Sequence, residues 1–492
     1  MKAEVYINNK FIGIVDEGKA FMDEFKDRRR KGVIPASVSI SYDEHTNEIT
    51  INSLEGRAQR PLIVIKEGKP LLTERHLEQL QSGELSWSDL VRQGVIEYLD
   101  AAEEEGALVA YDETGLTDKH THLEISPMVI CGLATSLVPF GNYNQSSRLI
   151  IGSKNQKQAI GFYAANYLVR LDMDISLLHY PQFPIVKAKT HDIFDYGSNP
   201  AGQNMVVAIM CYDGYNMEDA VIINRASVER GMGRSTYYRP TGTIELRYAG
   251  GLTDEICIPD KDIKGYRSET DYKFLEEDGI VYPEAKLKEG TVIIGKTSPP
   301  RFLSSLDEYN LAAASRRESS VSLRHGEEGI ADLVLLTEGE DGSKLVQVRL
   351  REERIPEIGD KFTSRHGQKG VVGILASPGD LPFSASGIIP DLIFSPHGIP
   401  SRMSVSHLIE IVAGKAGALG GRFVDGTLFE GEKEEDLRKQ LFELGFREDG
   451  TEVFYNGKTG QRMKARIYVG SMYYLRLRHM VANKIHSRAR GP

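Results

Sequence analysis

The sequence predicts a β-rich α+β fold divided into several domains. Its 492 residues exceed the roughly 250–300 residues over which one hydrophobic core keeps growing. The stretch 35–66 alternates apolar and polar residues as strands do, and the stretch 235–353 alternates predicted strands with loops. The 48 glycines are rich against an average usage of about 7%, and many tight turns between strands would explain them. Hydrophobic residues make up 40% and charged residues 26%, the balance of a soluble globular protein.

The first elements are a predicted β-hairpin and a helix. Residues 5–13 form the hairpin, with Asn8 and Asn9 in its turn. The helix covers 17–31, where acidic residues come early, basic residues come late and Gly32 can end it. The basic cluster in this stretch is therefore interpreted as a helix end, not as a binding site.

The middle of the chain mixes helices with short strands. Residues 77–102 are expected to be helix and loop, and the acidic residues 103–106 to mark a domain boundary. A helical pattern follows over 154–169, and largely apolar segments at 206–212 and 220–223 predict strands.

The second half begins with a β-rich module over 235–353, whose polar stretch 304–320 is expected to be mobile. Three helices are predicted after it, over 404–418, 433–444 and 472–488. The last prediction rests on apolar residues at helical spacing, namely Tyr473, Leu477, Met480 and Val481.

Composition excludes some classes of function. The cysteines Cys131, Cys211 and Cys257 lie far apart, so they predict neither a disulfide framework nor a four-ligand zinc site. No apolar run is long enough to span a bilayer and no charged-then-apolar leader follows Met1. We expect no membrane association and a reducing, cytoplasmic setting.

Charge is distributed unevenly along the chain. The formal net charge is −10, but residues 461–492 carry eight Lys or Arg and no acid. A basic surface on an acidic body can collect phosphate contacts and release counterions. The plain alternative is a solvated helix face. The eight cations are Arg462, Lys464, Arg466, Arg476, Arg478, Lys484, Arg488 and Arg490.

The segment 359–370, GDKFTSRHGQKG, combines four basic side chains with three glycines. Glycine lets backbone approach a ligand closely, and lysine and arginine bind phosphate oxygens. The segment predicts a phosphate-binding site, against the alternative of a basic surface turn. Its basic residues are Lys361, Arg365, His366 and Lys369.

Glu218 and Asp219 form a carboxylate pair on a turn between two predicted strands. Such oxygen ligands suit Mg²⁺, which often bridges to substrate phosphates, although spacing alone equally fits a solvated turn. The acids Asp172 and Asp174 are interpreted as a solvated turn, and His120 and His122 have no ligand set that would complete a metal site.

Six ordered segments together resemble one family over almost the whole chain. The resemblance is to the second-largest subunit of multisubunit DNA-directed RNA polymerases, and the archaeal and eukaryotic branch fits best. The segments are 122–125 HLEI, 144–148 NQSSR, 214–219 GYNMED, 359–370 GDKFTSRHGQKG, 396–403 PHGIPSRM and 474–480 YLRLRHM.

The resemblance implies roles for individual residues. Arg148 and Arg402 would reach the triphosphate of the incoming nucleotide, and Lys361 and Lys369 would lie near the RNA 3′ end and the reacting phosphates. Glu218 and Asp219 would approach a second Mg²⁺ that arrives with the nucleotide and is shared with the largest subunit. His366 is left as a hydrogen-bonded turn histidine. The residues implied to contact nucleic acid are Lys157, Gln158, Arg365, Arg476, Arg478, His479 and Lys484.

The resemblance also implies a domain order. Residues 1–105 would be an external region, 106–234 and 354–492 two parts of a hybrid-binding region, and 235–353 a wall or flap module. The hybrid-binding region would contain one of the polymerase's two double-psi β-barrels and end in a basic C-terminal helix. Catalysis would be template-directed nucleotidyl transfer from NTPs to an RNA 3′ hydroxyl.

The family holds its first Mg²⁺ on a triple-aspartate motif of the largest subunit, and no such cluster occurs here. The chain therefore resembles half an active site and is expected to be inactive alone. We expect the C-terminal-side polypeptide of a split archaeal subunit, with zinc and clamp contacts supplied elsewhere.

The expected protein partners are the largest subunit, the N-terminal-side polypeptide and the assembly-platform subunits, acting on template DNA, RNA and NTPs. Two alternatives remain. A stand-alone phosphotransfer enzyme would lack carboxylates for the first metal. A non-catalytic scaffold that binds nucleic acid would leave Arg148 and Arg402 without a role.

Overall fold

The computed structural model describes residues 2–248, 251–300, 316–324, 326–339, 341–485 and 488. The chain divides into two compact units, Met1–Leu133 and Ala134–Pro492. Within the described ranges, no helix is both long and apolar enough to cross a membrane. Most of the stretch 304–320, predicted to be mobile, lies outside the described residues.

The first unit contains two sheets, of four and five strands. Its strands are β1 Ala3–Ile7, β2 Lys10–Val15, β3 Ser39–Asp43, β4 Glu48–Asn52, β5 Gln59–Lys66, β6 Lys69–Pro70, β7 Ile96–Asp100, β8 Val109–Ala110 and β9 His122–Leu123. Its helices are α1 Gly18–Arg30, α2 Glu74–Ser82, α3 Trp87–Arg92 and α4 Ala101–Glu105, with 3₁₀ turns at Glu113–Gly115 and Pro127–Cys131. The strand order is β2-β1-β4-β3 in one sheet; in the other it is β6-β5-β9-β8, with β7 also paired to β5.

The predicted hairpin and first helix are confirmed. Asn8 and Asn9 join β1 to β2 with φ of 51° and 65°, the left-handed pair that a two-residue hairpin turn requires. Helix α1 runs from Gly18 to Arg30, within the predicted range. The strand β7 was missed, because the sequence around it was interpreted as helix and loop.

A buried charge cluster joins α1 to β7 and α4. Arg29 donates to Glu97 at 3.1 Å and to Glu103 at 2.6 Å, and all three residues are buried. Although burial opposes it, hydrogen bonding to His122 and the charge of Arg29 lower the pKa of Glu97. The acidic stretch 103–106, predicted as a boundary, lies inside this unit because Glu103 is one of its interior ion-pair partners.

The second unit carries most of the β structure. Its strands are β10 Ile175–Leu178, β11 Val186–Lys187, β12 Gln203–Ile209, β13 Ala220–Asn224, β14 Ser235–Ile244, β15 Glu255–Ile256, β16 Lys286–Leu287, β17 Val292–Ile294, β18 Lys296–Ser298, β19 Arg317–Glu318, β20 Val321–Ser322, β21 Gly329–Glu338, β22 Lys344–Arg354, β23 Lys361–Ser364, β24 Lys369–Ala376, β25 Phe383–Ser384, β26 Leu392–Phe394, β27 Val424–Asp425, β28 Thr451–Tyr455 and β29 Arg462–Arg476.

The remaining helices connect these strands. They are α5 Leu133–Ser136 at the junction of the units, α6 Ser146–Lys157, α7 Lys189–Ile193, α8 Arg225–Glu229, α9 Gly398–Arg402, α10 Val405–Gly420 and α11 Glu434–Glu443. Short 3₁₀ turns occur at Gly141–Tyr143, Tyr196–Ser198, Glu269–Asp271 and Val481–Asn483. Helices α10 and α11 confirm two sequence predictions. The helix predicted over 154–169 is wrong, since α6 ends at Lys157.

Six strands of the second unit close into a barrel. Strand β12 pairs with β26 on one side and with β29 on the other, and β13, β24 and β23 complete the ring. Apolar side chains fill the interior, among them Val207, Phe362 and Met472, which are at most 1% exposed. The barrel therefore positions its loops on a packed core.

The helix predicted over 472–488 is wrong. Residues 472–476 complete β29, which pairs with β12 and β23, and Val481–Asn483 form a 3₁₀ turn. Residues 472–477 are all buried, so both faces of this segment are covered. A strand covered on both faces has an almost continuous apolar run, and this run, interrupted by Arg476, also contains residues at helical spacing.

Residues 235–353 confirm the predicted β-rich stretch, because nine strands, β14 to β22, lie among the described residues there. Strands β14, β22 and β21 form a five-stranded sheet with β10 and β16. This sheet packs around a separate apolar core that includes Ile293, Val346 and Val348.

Candidate functional site

Three side chains meet at one end of the barrel. Arg402, the last residue of α9, donates from Nη2 to Asp219 Oδ1 and from Nη1 to Gln368 Oε1 at 2.6 Å. Asp219 and Gln368 directly precede β13 and β24, which are parallel neighbours. Parallel strands begin at the same end of a sheet, so the fold itself delivers both side chains to Arg402.

The carboxylate turn before β13 has an unusual backbone. Glu218 and Asp219 have φ of 51° and 68°, a region that residues other than glycine rarely adopt and that is often found at functional sites. The turn is pinned to β24, where the Val371 amide donates to the Asp219 carbonyl at 2.9 Å. A Cβ on Gly370 would lie 2.8 Å from that same carbonyl. Both carboxylates remain exposed to solvent.

Arg148 lies on the first turn of α6 and joins the same site. Its Nη1 donates to the Gly367 carbonyl at 3.3 Å, while its buried Nε has no hydrogen-bond partner among the described residues. Burial, followed by repulsion from Arg402, lowers the pKa of Arg148, and Asp219 acts in the opposite direction. Arg148 therefore lies within electrostatic range of the Arg402–Asp219 pair.

Two glycines allow α6 to approach this closely. A Cβ on Gly367, whose φ is 74°, would lie 2.6 Å from the Arg148 carbonyl. A Cβ on Gly152 would lie 2.5 Å from the Arg365 carbonyl. The glycines of the basic segment thus serve helix packing, in addition to any role toward a ligand.

Lys361 and Lys369 lie on the neighbouring antiparallel strands β23 and β24. Lys361 pairs with Val371, and Thr363 pairs with Lys369. Residues two apart on a strand share a face, so the two lysines point to the same side of the barrel. Burial, followed by repulsion from Lys369 and Lys484, lowers the pKa of Lys361.

The predicted nucleic-acid residues at the end of α6 and after β29 adjoin these lysines. Gln158 accepts from the Arg478 amide at 3.0 Å, and its side-chain oxygen lies 3.0 Å from His479 Nε2. Lys157 and Arg478 are exposed. Burial and the surrounding cations lower the pKa of His479; in decreasing order of effect these cations are Lys484, Lys361, Arg478 and Lys369.

The structure corrects two predicted nucleic-acid contacts. Arg365 is 2% exposed and donates to Glu410 at 2.5 Å. Arg476 is also 2% exposed and donates to Asp360 at 2.6 Å and to the Gly233 carbonyl at 2.6 Å. Both guanidinium groups are buried against carboxylates of the protein, so neither is presented to a nucleic acid.

His366 is a hydrogen-bonded turn histidine, as predicted. The Asn144 amide oxygen accepts from the Ser406 amide at 3.1 Å, which turns its NH₂ group toward His366 Nδ1 at 3.1 Å. His366 Nε2 is then the protonated nitrogen and faces Glu410 at 2.5 Å. Although burial opposes it, Arg365 and His366 lower the pKa of Glu410 to about 2.

The basic C-terminal stretch does not form one surface. Arg462, Lys464 and Arg466 begin β29 and are exposed, whereas Arg478 and Lys484 follow its end. At about 3.3 Å per residue, the strand separates the two groups by roughly 30 Å. Arg490 lies outside the described residues.

Within the described ranges, no three His, Cys, Asp or Glu side chains are grouped so as to hold a metal ion. Cys131, Cys211 and Cys257 are free thiols. Glu218 and Asp219 offer two exposed carboxylates, the hard oxygen ligands that Mg²⁺ prefers. The pair therefore fits an ion that takes its other ligands from water and phosphate.

Gln368, Asn144 and Glu410 were missed by the sequence analysis. Gln368 and Asn144 belong to the segments that resemble the polymerase family, but their neutral side chains did not indicate phosphate binding. Glu410 lies inside the apolar helix α10. An acid in such a surrounding signals a buried cation partner, and that signal was available.

Comparison with known proteins covers most of the chain. Residues 134–492 match the family described as RNA polymerase Rpb2, domain 6. Residues 5–66 and 87–127 match RNA polymerase Rpb2, domain 4 and domain 5. The two compact units thus correspond to separate family domains.

Similar proteins include DNA-directed RNA polymerase subunit Rpo2 of Sulfolobus acidocaldarius, 47% identical over 100% of this chain and 44% of that protein. DNA-directed RNA polymerase II subunit RPB2 of Encephalitozoon cuniculi is 39% identical over 99% of this chain and 44% of that protein. DNA-directed RNA polymerase III subunit RPC2 of Saccharomyces cerevisiae is 40% identical over 99% of this chain and 42% of that protein.

This chain therefore spans less than half the length of these relatives. Because the domain 6 match alone covers most of the sequence, the chain belongs to the Rpb2 family of RNA polymerase second-largest subunits.

Proposed function

We propose that the chain contributes nucleotide-, Mg²⁺- and hybrid-contacting residues to template-directed RNA synthesis by a multisubunit DNA-directed RNA polymerase. The observation that carries this proposal is the convergence of Arg148, Arg402 and Asp219 at the start of β13 and β24. These residues come from widely separated segments, and they unite two cations and a carboxylate at a solvent-accessible edge.

Arg148 and Arg402 would bind the triphosphate of the incoming nucleotide. Guanidinium groups bind phosphate oxygens through paired N–H donors. Support comes from the partial exposure of Arg148 and from the Arg402 Nη2 contact, whose carboxylate partner is itself half exposed. A phosphate oxygen can take the place of that carboxylate.

Lys361 and Lys369 would neutralise charge that develops on the reacting phosphates. They share one face of the barrel, and the lowered pKa of Lys361 reflects burial and crowding by other cations. An anionic ligand relieves that repulsion. Catalysis of this kind consists of positioning and preorganised charge, which matches a site with no nucleophile of its own.

Glu218 and Asp219 would hold a Mg²⁺ ion that arrives with the nucleotide and is shared with the largest subunit. When bound, this ion would neutralise charge on the triphosphate. The strained turn keeps Asp219 beside Arg402 and leaves both carboxylates exposed, so acidic and basic side chains occupy one edge.

We further propose that the six-stranded barrel is the family's double-psi β-barrel in the hybrid-binding region, and that 235–353 is the wall or flap. Lys157, Gln158, Arg478, His479 and Lys484 would then line the RNA–DNA hybrid. Support comes from their position beside Lys361.

Reconstitution tests the proposal. The chain alone is expected to be inactive, and RNA synthesis is expected when the largest subunit, the N-terminal-side portion and the assembly-platform subunits are added with template, RNA primer, NTPs and Mg²⁺. A matched pair of variants, Arg402→Ala and the exposed Arg447→Ala, separates the site from the general surface. Template-dependent RNA made by the isolated chain would overturn the proposal, as would equal activity of the two variants at limiting NTP.

A further inference from the structure

The buried amide of Gln368 holds Arg402 from the side opposite Asp219. We propose that Gln368 is a positioning residue for nucleotide binding, which fixes one guanidinium nitrogen of Arg402 while the other passes from Asp219 to a triphosphate oxygen. This inference rests on the proposed function and names a residue that the function did not yet use.

The amide can face Arg402 in only one way. Gln368 Nε2 donates to the Gly398 carbonyl at 3.0 Å and lies 2.5 Å from Ser404 Oγ. A carbonyl oxygen cannot donate, so the NH₂ group must point toward Gly398. The amide oxygen is left to accept from Arg402 Nη1, as observed at 2.6 Å.

The two ends of the Arg402 guanidinium have different surroundings. Gln368 is 1% exposed, whereas the Asp219 side chain is 49% exposed and that of Arg402 18%. An exposed ion pair is screened by water and salt, so it exchanges at little cost. A buried hydrogen bond to a charged group is costly to break.

One nitrogen of the Arg402 guanidinium is therefore fixed by Gln368, while the other can exchange its partner. Phosphate and carboxylate oxygens are the same class of acceptor for arginine. When a triphosphate takes the Asp219 side, the Gln368 anchor keeps the guanidinium plane in place. The Arg402 side chain is then already ordered before the nucleotide binds, so binding costs less side-chain entropy.

A purely structural role for Gln368 predicts different behaviour. The amide also joins Gly398 of α9 to Ser404 at the start of α10. If that link were its whole role, substitution would lower stability without a selective effect on nucleotide affinity. The measurement must therefore separate KM and nucleotide Kd from kcat and from the melting temperature.

The test uses reconstituted polymerase that carries Gln368→Met, a side chain of similar volume with no amide. In single-nucleotide addition we expect KM for NTP to rise about tenfold, the loss of affinity that one charged hydrogen bond accounts for, with kcat nearly unchanged. The Kd of a non-hydrolysable NTP for the stalled elongation complex should rise by the same factor.

Gln203→Met is the matched control. Gln203 is also a buried barrel amide, which donates to the His179 and Tyr180 carbonyls at 3.1 and 3.0 Å and accepts from the Gly233 amide at 2.8 Å. None of these groups touches Arg402. The control should lower the melting temperature about as much as Gln368→Met and leave KM at the wild-type value.

The double variant Gln368→Met with Arg402→Ala makes the outcomes distinct. If Gln368 acts through Arg402, the double variant has the KM of Arg402→Ala alone. If Arg402→Ala itself leaves KM unchanged, the proposed function fails. If Arg402→Ala raises KM while Gln368→Met does not, or if the two effects multiply, the positioning role is overturned and the proposed function stands.

Should Gln368→Met fail to assemble, Gln368→Asn replaces it. Asparagine keeps the amide but withdraws it by one methylene, so it cannot reach Arg402 and Gly398 together. The same rise in KM and Kd is expected, and a wild-type KM would overturn the proposal.

Discussion

The barrel holds two pairs of arginines in opposite ways. Arg365 and Arg476 are buried and bound to carboxylates and carbonyls of the protein. Arg148 and Arg402 lie at the barrel's edge, where both are partly exposed and the carboxylate partner of Arg402 is itself half exposed. All four belong to segments that resemble the polymerase family. The difference teaches that a basic residue in a functional motif has a ligand role only where the fold leaves its donors available.

The largest expected effect is on stability, from Arg365→Ala and Arg476→Ala. Each change leaves a buried carboxylate, Glu410 or Asp360, without its cation, which typically costs about 3–5 kcal/mol. Denaturant unfolding of the chain measures the loss. Arg438, exposed and paired with Glu434, is the control, and its alanine variant should change stability by at most about 1 kcal/mol. Equal losses of unfolding free energy for all three variants would show that the burial of Arg365 and Arg476 does not determine their contribution to stability.

Low pH should remove the stability that the buried carboxylate of Glu410 contributes. The pKa of Glu410 is lowered to about 2 in the folded protein, from about 4.3 in an unfolded chain. The folded state therefore binds the proton less readily, and the stability from this group is fully present above pH 4.3 and lost as pH falls toward 2. At 1.36 kcal/mol per pKa unit, the contribution is about 3 kcal/mol.

The measurement is the free energy of unfolding at several pH values between 5 and 2 for the wild type and Glu410→Gln. The variant is expected to be less stable at neutral pH and to show a shallower decline in this range. A decline as steep as that of the wild type would show that Glu410 does not contribute to the pH dependence of the unfolding free energy.

The edge arginines should show the reverse pattern, with activity lost and stability kept. In Arg402→Ala and Arg148→Ala, a charged contact to the triphosphate worth about 1.5–3 kcal/mol disappears, and KM for NTP rises accordingly. Unfolding free energy should fall by only about 1 kcal/mol. The comparison fails if either variant is as unstable as Arg365→Ala.

The smallest expected effect distinguishes acids from lysines at the same edge. Glu218→Ala with Asp219→Ala should raise the Mg²⁺ concentration at half-maximal elongation a few-fold, because two oxygen ligands are removed. Lys361→Ala and Lys369→Ala should lower the rate without moving that midpoint, since lysine neutralises phosphate directly. A Mg²⁺ titration of RNA extension decides this. An unchanged midpoint in the carboxylate variant would reduce the pair to a solvated turn.

Local sequence patterns predicted an element correctly where interactions between neighbouring residues determine its structure. The hairpin turn at Asn8–Asn9 and the helix at Val405–Gly420 depend on nearby residues, and both were predictable. Strand β29 was not, because its spacing of apolar residues fits a helix stripe and a doubly covered strand equally. Only the partners β12 and β23, far away in sequence, settle the choice.

The residues of the site likewise divide into those that the sequence predicted and those that it did not. The family resemblance pointed to Arg148, Arg402, Glu218 and Asp219, which the fold brings together. The burial of Arg365 and Arg476 could not be predicted, since neighbouring residues of one motif alternate between interior and edge once they lie on a strand. Gln368 was missed because its role depends on two backbone groups and a guanidinium that no linear pattern connects.

Closure of the barrel fixes when the site can exist during synthesis. Strand β12 ends at Ile209, and its partner β29 begins only at Arg462. At about 5–20 residues per second, the nascent β12 edge waits on the order of tens of seconds for that partner. Throughout this interval the open edge is a template for mispairing with another chain. Strand β29, the last strand among the described residues, thereby completes the barrel core.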